Sequence, residues 1–281
     1  MNEALSRAVE QAVGSAVTEL RAVAGGDIND AYRATLANGL VVFVKTRSKA
    51  PANMYAREAE GLAWLSAASA LRVPEVLAVA PDFLVLAFVA SGPRSTSYDE
   101  RLGTGLALLH RAGAPSFGFA HDNFIANLPQ DNTALSTWSE FYRARRLEPL
   151  VARAASQLTA HDREAFERLY SKLDALVGPR EPPARVHGDL WSGNVLSDAS
   201  GAPVLIDPAV YGGHREVDLA MLQLFGSPSA KLFSAYDEAY PRAPGHAERV
   251  GLYQLYPLLV HVCLFGQGYL RQLRAVLAAY A

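Results

Sequence analysis

Short runs of apolar residues in the first third of the chain predict a β-rich segment. Two short strands are expected around Gly25 and Gly26, and Asn38–Gly39 is a strong hairpin signal. The run V-V-F-V-K, which ends at Lys45, predicts the third strand. The runs V-L-A-V-A and F-L-V-L-A-F-V, which Pro81–Asp82 separates, predict a fourth and a fifth strand. The pattern therefore indicates a five-stranded antiparallel sheet.

The segment from Asn53 to Ala68 has helical periodicity instead. Its apolar stripe consists of Tyr55, Leu62 and Leu65. Glu58 belongs to the same stripe, whereas Glu60 points to roughly the opposite side of the helix. A carboxylate on a core-facing stripe needs a partner, because burying an unpaired charge is costly. Lys45, at the end of the preceding strand, is the expected partner.

Beyond the fifth strand the pattern changes to a mainly helical one. The turn-forming run S-G-P-R-S-T-S ends the β-rich part, and Ser97–Glu100 forms a capping box in front of a helix. One short hairpin is expected at 197–203. The pattern predicts an α+β protein with two lobes, residues 1–89 and 90–281.

The amino-acid composition narrows the class of protein but does not identify a function. Half of the 281 residues are hydrophobic and 19% are charged, which suffices for a sizeable core. The net charge of −2 argues against a general nucleic-acid binder. The single cysteine, Cys263, excludes an intramolecular disulfide. The N-terminus lacks a signal-peptide pattern, and the apolar stretch 252–265 is too short to cross a bilayer. We expect a cytoplasmic protein that binds no membrane; its oligomeric state is left open.

The run H-G-D-L-W-S-G-N-V-L, followed by V-L-I-D-P, carries the candidate chemistry. It places Asp189, Asn194 and Asp207 in chain order. A kinase-type site needs one carboxylate to accept a hydroxyl proton, and an Asn and a second Asp to bind the Mg²⁺ that bridges the ATP phosphates. We expect Asp189 to be the base, and Asn194 and Asp207 to be the metal ligands. A Lys45–Glu58 pair would position the phosphates.

Other kinase-like features are absent. There is no Walker-type G-x-x-x-x-G-K-[ST] motif, and no A-P-E motif follows Asp207. The segment from Asp207 to Asp218 is too short for a phosphorylatable activation loop. The chain thus lacks the platform that docks peptide substrates in protein kinases. Asp218 could orient the catalytic loop by accepting backbone hydrogen bonds.

The chain closely resembles the fructosamine kinase (ketosamine-3-kinase) family, in particular its bacterial branch. The resemblance rests on G-G-D-I-N-D-A-Y, F-V-K-T, M-Y-A-R-E-A-E-G-L, L-G-T-G-L-A-L-L-H-R, W-S-E-F-Y-R-A-R-R-L-E-P, H-G-D-L-W-S-G-N-V-L and D-P-A-V-Y-G-G-H-R-E-V-D-L-A-M. It implies a bilobal protein-kinase-like fold and transfer of the ATP γ-phosphate to the 3-hydroxyl of an amine-linked sugar. The adenine would then meet the backbone of Leu86, Phe88 and Val89, and Gly25–Gly26 would approach the phosphates.

Three residues are candidates for the acceptor site. Trp191 could stack on a sugar ring or only anchor the loop, and His214 is balanced between a substrate contact and a role in loop structure. Glu216 could meet hydroxyls or an amine. The expected substrate is a free or protein-bound ketosamine, either fructosamine or ribulosamine.

Two alternatives remain open. One is an aminoglycoside-type, choline-type or other sugar or amino-alcohol kinase of the same fold, and the other is a pseudokinase that binds nucleotide without catalysis. The presence of all five kinase residues (Lys45, Glu58, Asp189, Asn194 and Asp207) favours an active enzyme.

Overall fold

The computed structural model describes residues 2–23 and 30–281. Its helices are α1 (Asn2–Val13), α2 (Met54–Ser66), α3 (Tyr98–Arg111), α4 (Trp138–Phe141), α5 (Glu148–Arg153), α6 (Ala160–Leu176), α7 (Glu216–Leu224), α8 (Ala230–Ala239), α9 (His246–Phe265) and α10 (Leu270–Leu277). Its strands are β1 (Val17–Ala22), β2 (Asp30–Leu36), β3 (Val41–Thr46), β4 (Val76–Val79), β5 (Phe83–Ala87), β6 (Asn123–Ile125), β7 (Leu128–Gln130), β8 (Ala184–Val186), β9 (Val195–Ser197), β10 (Pro203–Leu205) and β11 (Tyr211–Gly213).

The chain divides into two compact units. The first consists of Met1–Tyr98 and Val195–Asp207, and the second of Asp99–Asn194 and Pro208–Ala281. The sequence analysis predicted two continuous lobes, 1–89 and 90–281. It therefore placed residues 195–207 in the second lobe, whereas they belong to the first compact unit of the structure.

The first unit is built on an antiparallel sheet with the strand order β1-β2-β3-β5-β4. One face packs against α1 through a core that includes Val9, Val42 and Val44. The other face packs against α2 through Tyr55 and Leu62. Apolar side chains alternate between the two faces because successive residues of a strand point in opposite directions. The predicted α+β class and five-stranded antiparallel sheet are confirmed.

The hairpin of β9 and β10 belongs to the first unit by its hydrogen bonds. Leu205 N donates to the Arg72 carbonyl oxygen at 2.9 Å, and Gly92 N donates to the Ser197 carbonyl oxygen at 3.0 Å. The predicted hairpin is therefore present, and it carries the chain to Asp207.

The second unit contains more strand than the sequence analysis predicted. Besides its helices it has two antiparallel ladders, β6–β7 and β8–β11. The expectation of a single hairpin in this part of the chain was wrong. Each strand of these ladders has three residues, which is too few for an alternating pattern to be detected.

The stretch from His246 to Leu277 is long and apolar enough to span a membrane by length and composition alone. Half of its most apolar window is buried inside the structure. Leu252, Leu255 and Leu259 of α9 belong to the core of the second unit, as expected for the central helix of a folded domain.

Candidate active site

The predicted site residues fall into two groups, one in each unit. In the first unit, Lys45, Glu58 and Asp207 meet; we call them the Lys45 cluster. Lys45 Nζ donates to Glu58 Oε1 at 2.9 Å, to Glu58 Oε2 at 3.0 Å and to Asp207 Oδ1 at 3.0 Å. An ammonium group has three N–H donors, so these carboxylate oxygens engage all of them.

The positions of Lys45 and Glu58 follow from their elements. Lys45 lies on β3, which is bonded on both sides, by β2 and by β5. Glu58 lies on the buried stripe of α2, and its side chain is 9% exposed. The side chain of Glu60 is 41% exposed and pairs with Arg57 on the same helix. The helical phase that selected Glu58 over Glu60 is confirmed.

Asp207 follows β10 and has a left-handed backbone with φ of +54°. Asp tolerates this region better than most residues, but for a non-glycine residue it remains uncommon. Such conformations often occur at functional sites, where surrounding structure maintains them. The Asp207 side chain is 42% exposed, so a ligand can reach it.

The electrostatics of the Lys45 cluster keep Lys45 charged. Burial by itself lowers the pKa of Lys45, but the carboxylates of Glu58 and Asp207 outweigh burial, and the net pKa is raised. Burial raises the pKa of the Glu58 carboxyl, and the Lys45 ammonium opposes that rise. With one cation and two carboxylates, the cluster has an excess of negative charge when fully ionised. It is suited to receive a further cation.

In the second unit, Asp189 and Asn194 lie on one loop. Asn194 Nδ2 donates to the Asp189 carbonyl oxygen at 2.8 Å and to Asp189 Oδ2 at 3.1 Å. A 3₁₀ turn over Ser192–Asn194 brings the two side chains together. Because the amide nitrogen of Asn194 faces Asp189, its Oδ1 is the atom that could bind a metal ion.

Asp218 holds the start of this loop from α7. Its carboxylate accepts the N–H of His187 at 2.7 Å and the N–H of Gly188 at 3.0 Å, and it lies 3.2 Å from His110 Nε2. Gly188 has a φ of +82°, and a Cβ at that position would overlap the carbonyl oxygen of Ala209. The predicted role of Asp218 as an acceptor of backbone hydrogen bonds is confirmed.

Two buried amides fix the backbone just after Asp207, and sequence reasoning missed both. Gln130 Nε2 donates to the Ala209 carbonyl oxygen at 3.1 Å, and Asn123 Nδ2 donates to the Val210 carbonyl oxygen at 2.8 Å. They lie on β6 and β7, the ladder that the pattern did not predict. The only available signal was their polarity within short apolar runs.

Trp191 lies on the same loop as Asp189 and is 39% exposed. A Cβ on Gly193 would overlap the Trp191 ring, so glycine allows the indole to lie against the loop backbone. The exposed part of the ring is available to an acceptor molecule. Whether it binds substrate remains a prediction.

His214 and Glu216 are both buried. The His214 ring stacks on Tyr253 at a centroid distance of 5.2 Å, and its Nδ1 accepts the Glu216 N–H at 3.3 Å. Burial lowers the pKa of His214 to about 4, although the nearby carboxylates of Glu216 and Glu181 oppose this shift. His214 is therefore neutral near pH 7, and its role in substrate binding remains a prediction.

Glu216 belongs to a second ionic group, the Arg249 cluster, whose members are Glu181, Arg215, Glu216 and Arg249. Arg249 donates to both oxygens of Glu216 at 2.7 and 2.8 Å, and Arg215 donates to both oxygens of Glu181 at 2.7 and 2.8 Å. The pair with Arg249 engages both oxygens of the Glu216 carboxylate. A contact between Glu216 and substrate remains a prediction. Sequence reasoning missed Arg249, because no local pattern connects it with Glu216.

The residues predicted to meet the adenine lie at the end of β5. Leu86 is buried in the core beneath α2, and Val89 is also buried. Phe88 N donates to the Val41 carbonyl oxygen at 3.3 Å, and the Arg33 guanidinium lies 5.4 Å from the Phe88 ring centroid. Gly25 and Gly26, which were predicted to approach the phosphates, lie outside the described residues.

The donor chemistry of Asp207 in the Lys45 cluster suits Mg²⁺. The described residues contain no group of three or more His, Cys, Asp or Glu side chains that could hold a metal by themselves. Mg²⁺ is usually bound by one or two carboxylates together with substrate phosphates and water rather than by an all-protein cage. An exposed carboxylate in a cluster with excess negative charge meets that requirement.

Known proteins are similar over nearly the whole chain. The family model described as fructosamine kinase matches residues 1–280. A "probable ketoamine kinase" of Synechocystis sp. is 36% identical over 284 residues, covering 98% of this chain and 95% of its own. The chloroplastic protein-ribulosamine 3-kinase of Arabidopsis thaliana is 36% identical, covering 94% and 83%. A crystal structure of a "putative fructosamine-3-kinase" from Thermobifida fusca has a TM-score of 0.92 and 42% identity, with 98% of both chains covered.

Proposed function

Because the chain belongs to the fructosamine kinase family, we propose that it transfers the γ-phosphate of ATP to the 3-hydroxyl of a ketosamine. It is a phosphotransferase with an alcohol group as acceptor. The observation that supports this function best is the Lys45 cluster, because a Lys–Glu pair joined to an exposed Asp is the arrangement that binds ATP phosphates and metal in kinases. The product would be a ketosamine 3-phosphate, as in the first step of a deglycation reaction.

Asp189 is the proposed general base. It accepts the proton of the 3-hydroxyl as the oxygen bonds to the γ-phosphorus, while the bond to the β–γ bridging oxygen breaks and ADP leaves. Asp218 supports this role by bonding to the backbone of His187 and Gly188, just before Asp189. These bonds hold the backbone that precedes the proposed base.

Lys45 is proposed to hold the ATP phosphates and Glu58 to keep Lys45 in place. All three Nζ protons are engaged by Glu58 and Asp207. A phosphate oxygen must therefore replace or share one of these bonds. Asp207 is the partner to be released, because its side chain is far more exposed than that of Glu58. Its carboxylate then becomes available as a metal ligand.

Mg²⁺, held by Asp207 and Asn194 Oδ1 together with ATP, would neutralise charge on the phosphates. The adenine is proposed to lie along the backbone of Leu86, Phe88 and Val89, and Trp191 is proposed to form a wall of the acceptor pocket. A cytoplasmic location is supported by the single cysteine of the sequence.

An ATP-consumption screen tests this function. Fructoselysine and ribuloselysine are compared with aminoglycosides, choline and simple sugars, using enzyme that has not been phosphorylated. We expect turnover with one or both ketosamines. Turnover restricted to an aminoglycoside, choline or a sugar would replace the proposed acceptor, and nucleotide binding without any turnover would indicate a pseudokinase.

The Asp189→Asn variant is the control for the chemical step. It should lower kcat by about 10²–10⁴-fold, because the carboxylate that accepts the proton is lost. Nucleotide affinity, measured by calorimetric titration, should be nearly unchanged. Near-normal turnover in this variant would exclude Asp189 as the base.

A further inference from the structure

Four aromatic rings of the second unit, Phe225, His261, Phe265 and Tyr269, form what we call the aromatic cluster. The His261 ring is its centre, with centroids 4.4 Å from Phe225, 4.8 Å from Tyr269 and 5.5 Å from Phe265. These separations are typical of interacting aromatic side chains. The cluster joins the segment after α7 to the end of α9.

The cluster presents aromatic surface to solvent. Phe265 is 52% exposed, and Phe265 and Trp191 are the two aromatic residues among the large hydrophobic side chains exposed in the described part of the chain. Phe225, His261 and Tyr269 are partly exposed. Exposed apolar groups of this kind often mark binding surfaces.

A hydrogen bond connects the cluster to the loop that carries Asp189. Ser192 Oγ donates to the Phe225 carbonyl oxygen at 2.9 Å. Next to Phe225, a Cβ on Gly226 would lie 3.4 Å from the Cβ of Ser192. The backbone of Phe225 therefore lies directly against the loop of Asp189 and Trp191.

His261 adds a polar atom to this surface. Its Nδ1 lies 2.8 Å from the Pro257 carbonyl oxygen, and because a carbonyl oxygen can only accept, Nδ1 is the donor. Burial lowers the pKa of His261, although the Pro257 carbonyl opposes the shift, and the ring is neutral near pH 7. In a neutral imidazole whose Nδ1 carries the proton, Nε2 is an acceptor.

From these contacts, and resting on the function proposed above, we infer that the aromatic cluster is the subsite for the cationic amine portion of the acceptor. A ketosamine carries a secondary amine on C1, and this nitrogen is protonated near neutral pH. Aromatic faces attract an ammonium group, and His261 Nε2 can accept one of its N–H bonds. The sugar then extends towards Asp189, and the alkyl chain of the amine lies on Phe265. The cluster thereby distinguishes amine-linked sugars from free sugars.

Two variants and one matched control test the subsite. Phe265→Ala removes the exposed ring, and His261→Phe keeps a ring but removes the Nε2 acceptor. Leu108→Ala is the control, because Leu108 is a similarly exposed apolar residue of the same unit, at 46%. We expect Phe265→Ala to raise KM for fructoselysine by about 3- to 20-fold, the range of one cation–π contact. His261→Phe should also raise KM for fructoselysine. KM for ATP and kcat should remain within about twofold in both variants, and Leu108→Ala should match the wild type.

Binding of n-hexylammonium, measured by NMR titration, gives a readout independent of catalysis. The wild type should bind it, Phe265→Ala should bind it about 3- to 20-fold more weakly, and uncharged 1-hexanol should bind poorly to both. Unchanged fructoselysine KM in both variants, equal increases in KM for ATP, or equal binding of hexanol would overturn the subsite. If the wild type phosphorylates no ketosamine yet binds n-hexylammonium at the cluster, the proposed function fails while the amine subsite stands.

Discussion

The Lys45 cluster and the Arg249 cluster both rely on charge-assisted hydrogen bonds around a buried cation, but their net charges differ. Arg215 and Arg249 each meet one carboxylate in a bidentate pair, so the Arg249 cluster is balanced. Lys45 meets two carboxylates, and Asp207 remains accessible. A balanced cluster needs nothing further and can serve the fold alone. An unbalanced cluster with one exposed member is suited to bind a ligand.

Neutralising the exposed carboxylate of Asp207 should have the largest effect on activity. It should also distinguish the Lys45 cluster most clearly from the Arg249 cluster. Asp207→Asn should lower kcat/KM for Mg·ATP by about 10³-fold, because the proposed metal ligand is lost. The free energy of unfolding without nucleotide should change by less than about 1 kcal/mol, since Glu58 still balances Lys45. Steady-state kinetics with varied Mg·ATP measure the first effect, and denaturant unfolding measures the second. A large loss of stability would show that the Lys45 cluster is structural in the same sense as the Arg249 cluster.

Breaking the balanced Arg249 cluster should mainly lower the stability of the fold. Arg249→Met leaves the Glu216 carboxylate buried without its cation, and should cost about 3–5 kcal/mol of unfolding free energy. A double variant, Arg249→Met with Glu216→Leu, should regain much of this loss. Arg7→Met, in the exposed Arg7–Glu3 pair, is the control and should change stability by at most about 0.5 kcal/mol.

A further variant of the Arg249 cluster, Glu216→Gln, tests a role for Glu216 in substrate binding. In Glu216→Gln, a purely structural residue should reduce stability while KM for the acceptor in the remaining folded enzyme stays constant. A selective increase in acceptor KM would support the contact predicted from the sequence.

Within the first unit, Glu58 and Glu60 form a natural pair for comparison. Glu58→Gln should reduce kcat/KM by about 10- to 100-fold, because a charge-assisted bond that holds Lys45 becomes weaker. Glu60→Gln removes only part of an exposed pair with Arg57 and should be nearly silent. Steady-state kinetics on both variants provide the measurement, and equal losses would contradict the functional distinction between the two carboxylates.

The smallest effect concerns His214, which lies beside the Arg249 cluster. Its folded-state pKa of about 4 lies below its ordinary value of 6.5, so the unfolded chain binds a proton more readily and stability falls as the pH drops through this window. The loss should be about 1.5 kcal/mol between pH 6.5 and pH 5. His214→Asn retains an acceptor near the Glu216 N–H but cannot titrate. Its free energy of unfolding, measured with denaturant, should therefore depend less steeply on pH. Parallel curves for the two proteins would exclude His214 as the source.

The Lys45–Glu58 part of the Lys45 cluster could be predicted from the sequence, because its signals are local. Strand and helix periodicities identified β3 and α2, and the helical phase separated Glu58 from Glu60. The Asn38–Gly39 turn, with a φ of +86° at Gly39, was equally readable. Asp207 was recognised by its order after Asp189 and Asn194, although no local pattern shows that it contacts Lys45.

The Arg249 cluster could not be predicted from local sequence patterns. Glu216 and Arg249 are 33 positions apart, and Arg215 and Glu181 are 34 apart, so only the tertiary fold pairs them. Glu216 looked like a site residue because it closely follows the presumed metal ligand.

A second failure of local patterns occurs between α4 and α5. There the helix adopts a π-helical form over Tyr142–Leu147, and a wider turn shifts the buried face. Arg146 is fully buried there, and its guanidinium lies 4.0 Å from the Tyr211 ring centroid. A charge-based reading of the sequence would have placed it on the surface.

The contact between Lys45 and Asp207 also sets an order of events during synthesis. The two residues are 162 positions apart, and at about 5–20 residues per second the ribosome needs roughly 10 to 30 seconds to travel between them. During that interval Glu58 is the one of its two folded-state partners that has already been made, and the two can form a neutral ion pair. The nascent sheet can therefore close around a compensated charge, and the second carboxylate, that of the proposed metal ligand Asp207, arrives after β1 to β5 and α2 have been made.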